Sequence, residues 1–331
     1  SMLETLFSNN ISFPVGRVEY LVIHPVSFPE FLGAIGEKAA LAQLRQIPFA
    51  DFAFEKLMQL FRTYCLVGGM PEVVKHYAAN RDLTALSGIY ESLIVSYLDD
   101  VEKYASGSLQ ANYIRHAIRA SFAEAGKRIK FQGFGNSNYK SREMGEALRA
   151  LEKALILHLV YPQTSPTLPL LPDLDRSPRL QVLDTGLLNY YAGIQKEIIG
   201  TDDLNKVYHG LMIEHLVGQE LLASQYSALH GLNFWVREKT TSLAEVDYLQ
   251  IFDGKLIPVE VKAGSEGTLR SLHQFMEIAP HQLAVRFYAG QVSVSKLSTP
   301  SGKDFNLLNL PYFLVSQLSE YLPWFTRNMQ I

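Results

Sequence analysis

The sequence predicts an α/β protein, helical through its first half and built on a mixed central sheet in its last third. Three observations carry this. Apolar residues recur at helical spacing between residues 36 and 160. Five of the fifteen prolines then crowd into residues 162 to 178 and forbid a helix there. Finally, Asp253-Gly254 separates two β-rich runs, a strong hairpin signal.

Composition narrows the class. The chain has 331 residues, 47% hydrophobic and 19% charged, as expected of packed globular domains, and its length allows two or three of them. No run of 18 apolar residues occurs, so no membrane-spanning helix is expected. The single cysteine, Cys65, excludes a disulfide framework or a multi-cysteine zinc site. The opening Ser1-Met2-Leu3-Glu4 lacks the basic and apolar regions of a signal peptide. Together these features point to a cytoplasmic protein. The net charge of -3 and isoelectric point of about 6.3 do not suit a strongly basic nucleic-acid binder, so DNA contact requires a local patch.

Taken in order, residues 1–35 hold one strand pattern, Val18–Ile23 after Gly16-Arg17, too little to make a core. They read as the end of another domain. Residues 36–110 read as a helical connector. Phe52, Phe54, Leu57, Leu60 and Phe61 lie at helical spacing, and Gly68-Gly69-Met70-Pro71 interrupts. Leu83–Leu98 forms a further amphipathic run.

Residues 111–200 differ in charge. Tyr113–Lys153 carries nine basic and four acidic side chains, a net +5. Ile114, Ala117, Ile118 and Phe122 mark one helix; Met144, Ala147, Leu148, Leu151 and Leu155 mark a second. A proline-interrupted ribbon and the strand Arg179–Leu183 follow. Helix, turn, helix and hairpin is the order of a winged helix. Lys140, Arg142 and Arg149 lie on the second helix, where a recognition helix meets double-stranded DNA. Winged helices also serve as protein-protein modules, and that reading stands beside the first.

Residues 201–331 carry the chemistry. If Asp253-Gly254 is the two-residue loop, Phe252 faces Lys255 and Asp247 faces Glu260. Opposed residues have Cβ atoms about 5 Å apart. Lys262 shares their face, with Leu249, Ile251, Leu256 and Pro258; Val246, Tyr248, Phe252, Ile257, Val259 and Val261 take the other. Two opposed carboxylates in a covered sheet repel and lose hydration. A hard cation such as Mg²⁺ resolves both problems, and Lys262 is placed to hold a phosphate or an attacking water. A cross-strand ion-pair cluster is the structural alternative, and a one-residue slip in register would separate the pair. Flanking strands are expected at Leu232–Val236, Ala244–Phe252, Lys255–Lys262 and Leu283–Tyr288, with a helix near Thr268–Ile278.

Asp247 followed by Glu260-Val261-Lys262 resembles the PD-(D/E)xK motif of restriction-endonuclease-like nucleases, with Val246 in place of the proline. The resemblance implies Mg²⁺ held by Asp247 and Glu260, water activated with Lys262, and an acidic residue from the preceding helix. Glu214 fills that role, with Glu220 as its rival. The order of motifs along the whole chain resembles prokaryotic AAA-type ATPases with a C-terminal nuclease-like domain of unknown function. It rests on Gly16-Arg17-Val18-Glu19-Tyr20, Pro25-Val26-Ser27-Phe28-Pro29-Glu30-Phe31, Gly68-Gly69-Met70-Pro71 and Asp184-Thr185-Gly186-Leu187. The family's phosphate-binding string, G-x-x-x-x-G-K-[ST], does not occur. The chain is therefore expected to start near the end of an ATPase core and to bind no ATP.

The resulting expectation is a helical connector plus a winged helix, followed by a restriction-endonuclease-like α/β domain with a mixed central sheet. The leading function is DNA binding with Mg²⁺-dependent phosphodiester cleavage. The rivals are a non-catalytic regulatory or interaction module, with a protein partner or a second copy, and a winged-helix DNA binder without catalysis.

Overall fold

The computed structural model describes residues 17, 19, 21–103, 105, 107–193, 211–225, 231–237, 244–262 and 268–328. Residues 21–23 of the expected first strand are irregular backbone, with Leu21 and Ile23 exposed. The β-branched pattern there has no neighbouring strand among the described residues to pair with, and propensity alone does not make a strand. The first described helix is α1 (Phe28–Ala34), whose N-cap Ser27 and Glu30 form a capping box. α2 (Lys38–Leu44) and α3 (Phe54–Val67) follow. α3 buries Leu57, Met58, Phe61, Tyr64 and Cys65 as one apolar stripe. It stops at Gly68, whose φ of +70° favours glycine, and Pro71 opens α4 (Pro71–Asn80). α5 (Ser87–Asp99) completes the helical connector.

α6 (Ser108–Glu124) and α7 (Ser141–Lys153) pack together through Ile114, Ala117, Ile118, Met144, Ala147 and Leu148. β1 (Leu157–Val160) then pairs antiparallel with β3 (Arg179–Val182). Residues 126–129 add backbone bonds to the far side of β3, through Gly126 N to Leu180 O (2.8 Å) and Leu180 N to Lys127 O (3.0 Å). Two helices and a ribbon thus follow the order read from the sequence. The chain from β1 to β3 is not a free loop. Its β2 (Pro162–Gln163) runs parallel to β4 (Phe234–Val236), and β4 pairs antiparallel with β5 (Glu245–Val246).

After α8 (Thr185–Tyr191), the C-terminal part begins with α9 (Leu211–Ala223). Its main sheet is mixed, in the order β6 (Tyr248–Phe252), β7 (Lys255–Val261), β8 (Leu283–Tyr288), β10 (Asp304–Pro311), β9 (Ser293–Ser298). β7, β8 and β10 are mutually parallel; β6 and β9 are antiparallel edges. α10 (Arg270–Ile278) supplies the crossover between β7 and β8. Asp253 and Gly254 have φ of +47° and +68°, as a type I′ turn requires.

Each sheet face meets a different core. Ile257, Val259, Val261, Val285 and Phe287 join the large cluster that runs back through α9 to the N-terminal helices. Leu249, Leu256, Ala284 and Leu307 join a smaller cluster under Leu272, Phe275 and Met276 of α10. The described residues close with a 3₁₀ turn at Tyr312–Gln317 and α11 (Leu318–Asn328), both packed on the large core. No described helix is long and apolar enough to cross a membrane.

Three of the sequence motifs converge on one buried polar joint. Asp184, the N-cap of α8, accepts from Gly69 N (2.6 Å) and Leu187 N (3.0 Å). A Cβ on Gly68 would lie 2.5 Å from its carboxylate, so glycine is required. Glu220 on α9 accepts from Tyr64 OH (2.6 Å) and Phe28 N (3.1 Å). Gln219 bridges Thr185 and Tyr64. Among the described residues no cation pairs either carboxylate, and burial pushes Asp184 to about 6 and Glu220 to about 7.

Candidate functional site

The hairpin register sets the site. Tyr248 faces Val259, Leu249 faces Pro258 and Phe252 faces Lys255; the ladder ends there, and Asp247, one residue beyond it, lies next to Glu260. Asp247 itself sits on a bend between β5 and β6. Its Oδ2 accepts from Val261 N (2.7 Å), which locks the carboxylate beside β7. The bend also shifts the alternation. Val246, expected on the face of Tyr248, packs instead in the smaller core with Leu249 and Leu256.

Glu260 is only 3% exposed, and its Oε1 accepts from Lys262 Nζ. Its Oε2 is buried with no hydrogen-bond partner among the described residues. Glu214 projects from the first turn of α9 to the same place, and its backbone carbonyl accepts from Tyr248 OH (2.8 Å). Glu220, the rival for that role, lies instead in the polar joint with Tyr64. The structure therefore brings Asp247, Glu260, Lys262 and Glu214 together.

Two members escape the sequence reading. Arg179 of β3 pairs with both Glu214 and Glu245 and donates to Asp247 O (2.8 Å). Its guanidinium lies over the Phe234 ring, 4.5 Å from the centroid, and faces Tyr248 at 5.6 Å. Burial works against its charge, and the carboxylates of Glu214 and Glu245 outweigh that. Arg179 comes from 68 residues before Asp247, and no local spacing reveals such a partner. Glu245 stands beside Asp247 in the sequence, and only the strand break reveals its orientation.

Charge bookkeeping defines the chemistry. Glu214, Glu245, Asp247 and Glu260 face three cations, Arg179, Lys262 and Arg128, the last 3.7 Å from Glu245, leaving a surplus of one negative charge. Burial pushes Glu214 and Glu260 each up to about 8, helped by their acidic neighbours, and it raises Asp247 as well. Such a cluster favours protonation or an added cation. The donor set fits Mg²⁺, which needs one or two carboxylates and keeps several waters. Asp247 and Glu260 supply two, and Glu260 Oε2 is free to ligate. A third carboxylate does not join them: Glu214 turns to Arg179, and no group of three His, Cys, Asp or Glu among the described residues could hold a metal ion.

On α7, Arg142, Glu146, Arg149 and Lys153 form one exposed stripe, with Lys140 at its start. Arg142 pairs with Glu146 (3.0 Å), and Arg149 lies over the Phe131 ring at 5.7 Å. The ribbon tip is different. It exposes Leu171 and Leu174, and Arg176 is tied to Asp173 (2.8 Å).

Comparison with known families divides the chain into two. Residues 58–198 match the domain of unknown function DUF8612. Residues 209–313 match the domain of unknown function DUF4143, a domain often found in AAA-ATPase-associated proteins. No curated protein and no solved structure matches the chain. The acidic cluster is shared between the two matched segments, since Arg179 lies in the first and Glu214, Glu245, Asp247 and Glu260 in the second.

Proposed function

We propose that this chain is a nuclease-like protein, related to the AAA-type ATPase family with a C-terminal PD-(D/E)xK domain, that cleaves phosphodiester bonds with a divalent metal. The observation carrying the reading is the hairpin, which sets Asp247 against β7 next to Glu260 and Lys262 with one negative charge of the cluster unmatched. Asp247 and Glu260 would hold Mg²⁺, and that ion would supply Lewis-acid stabilisation of the charge that develops on the phosphate. Lys262, held by Glu260, keeps an ammonium next to the reacting position and orients the attacking water. Glu214 assists by holding Arg179 away from Asp247's carboxylate. The two helices and ribbon of residues 108–182 act as a winged helix, and Lys140, Arg142 and Arg149 on α7 meet the double-stranded DNA phosphates. Without the phosphate-binding string, the chain does not bind ATP.

The test is cleavage of supercoiled, linear and single-stranded DNA with Mg²⁺ or Mn²⁺. Asp247→Ala and Lys262→Ala should each abolish it while melting as the parent does. Undiminished cleavage by both variants refutes the site.

One observation favours a second reading. Arg179 already neutralises Glu214 and Glu245, as an internal cation would in a retired site. The chain would then be a regulatory or interaction module for a protein partner, and it would bind neither metal nor DNA.

A further inference from the structure

The acidic pair lies at one end of a polar row that crosses the sheet. Glu260 on β7 faces Arg286 on β8, Arg286 faces Asn309 on β10, and Asn309 faces Ser293 on β9. Partners in a ladder share a face, and neighbouring strands stand about 4.8 Å apart. Arg286 is thus the next side chain along from Glu260, on the face that carries Asp247. The row towards α10 is apolar, through Leu249, Ala284 and Leu307.

Among the described residues, three buried polar atoms in this row lack hydrogen-bond partners: Glu260 Oε2, Arg286 Nε and Asn309 Oδ1. Glu260 and Asn309 are 3% and 1% exposed. Buried polar atoms without partners are rare in native proteins, and three in one row point to a bound group that completes them. Asn309 is held in place, since its Nδ2 donates to Ser293 Oγ and Ser295 Oγ, both at 3.1 Å. Arg286 stacks on the Tyr288 ring at 4.4 Å, which fixes the plane of its guanidinium. Among the described residues it makes no ion pair, unlike Lys262 and Arg179. It is partly exposed, so a ligand can reach it.

We propose that Arg286 is the anion anchor of this site and takes a phosphate of a nucleic-acid backbone, next to the Asp247–Glu260 pair. A guanidinium is always charged and offers a planar fork that matches phosphate oxygens. Lys262 already answers the charge of Glu260, so the Arg286 charge remains for a ligand. This deepens the nuclease reading and rests on it for the identity of the phosphate. The anchor itself rests on the row.

The test uses the full chain and a short fluorescein-labelled DNA duplex, with Ca²⁺ in place of Mg²⁺, read by fluorescence anisotropy. Arg286→Gln should weaken binding about tenfold, the loss of one charge-assisted contact. It should also flatten the slope of log Kd against log salt by about one. Arg286→Lys, which keeps the charge, should retain most of the slope. A merely structural role would lower the melting temperature and leave the slope unchanged. Binding by Arg286→Gln that equals the parent's in strength and slope overturns the anchor. A parent that binds no duplex overturns it too. If the parent binds through Arg286 but never cleaves with Mg²⁺, the anchor stands and the nuclease reading falls. If the parent cleaves and Arg286→Gln keeps its KM, the nuclease stands and the anchor falls.

Discussion

Arg179 shows how much a single side chain can be asked to do. It is 4% exposed and holds two carboxylates from different elements. Removing it leaves Glu214 without its cation in a largely buried place and Glu245 with Arg128 alone. Arg179→Ala should therefore cost about 3–5 kcal/mol in urea unfolding. The double variant Arg179→Met with Glu214→Gln should cost clearly less, because no charge is stranded; equal losses would show that packing, not charge, is what Arg179 supplies. The carboxylates give a pH signature of known sign. Burial raises Glu214 and Glu260 to about 8, so the folded chain holds protons that the unfolded chain releases. Their contribution is full below the unfolded carboxyl range near 4.3, and it is lost as pH rises from there to about 8. Asp184 and Glu220 act in the same direction up to about 6 and about 7. The chain should resist urea better at about pH 5.5 than at about pH 8.5, and Mg²⁺ should recover stability at the higher pH. A profile that is flat with and without Mg²⁺ would contradict the surplus charge.

At the scale of elements, the β6–β7 hairpin was the most legible part. Asp253-Gly254 dictates a two-residue turn, and a two-residue turn dictates every cross-strand partner up to Asp247 and Glu260. Strands β7 and β8 and helix α10 fall within a residue or two of where β-branched and helical patterns place them. Other elements were hidden for physical reasons. β9 is an edge strand with alternating exposed Ser, Val and Lys residues, a weak pattern without its neighbour. α11 contains Pro323, which argues against a helix when read locally. The strand expected near Val18–Ile23 had local propensity but no described partner. Gly68-Gly69 was read as a break, and its reason lies 115 residues away, where Asp184 receives Gly69 N. Gly68→Ala should drive a methyl into that carboxylate and force a positive φ on alanine, with a loss of about 2 kcal/mol or more in stability. A neutral result would mean that the joint is looser than its distances. On α7, Arg142→Ala should weaken duplex binding and lower its salt dependence by about one phosphate contact, with stability unchanged. No change in binding would remove α7 from the DNA interface.

At the scale of the whole molecule, the two matched segments are stitched together at several places. β2 adds to β4, Arg179 enters the acidic cluster, and Asp184 with Gln219 joins α8 to α9. One hydrophobic cluster continues from Phe28 to Phe325. Far-UV circular dichroism, which reports on all helices, and fluorescence of Trp235 and Trp324, which lie in the C-terminal part, should therefore unfold in one coincident transition. Two separated transitions would mean that the stitches are weak. The same stitching couples the segments mechanically, since a displacement of α6 would move β3, and Arg179 with it.

The measurement that bears most directly on the central claim is Mg²⁺ or Mn²⁺ binding by calorimetry at about pH 8, parent against Asp247→Ala. The account predicts one site in the parent, proton release on binding as Glu214 and Glu260 give up their protons, and no binding in Asp247→Ala. Absence of binding in both would contradict it, leaving Asp247, Glu260 and Lys262 as an ion-pair cluster balanced by Arg179.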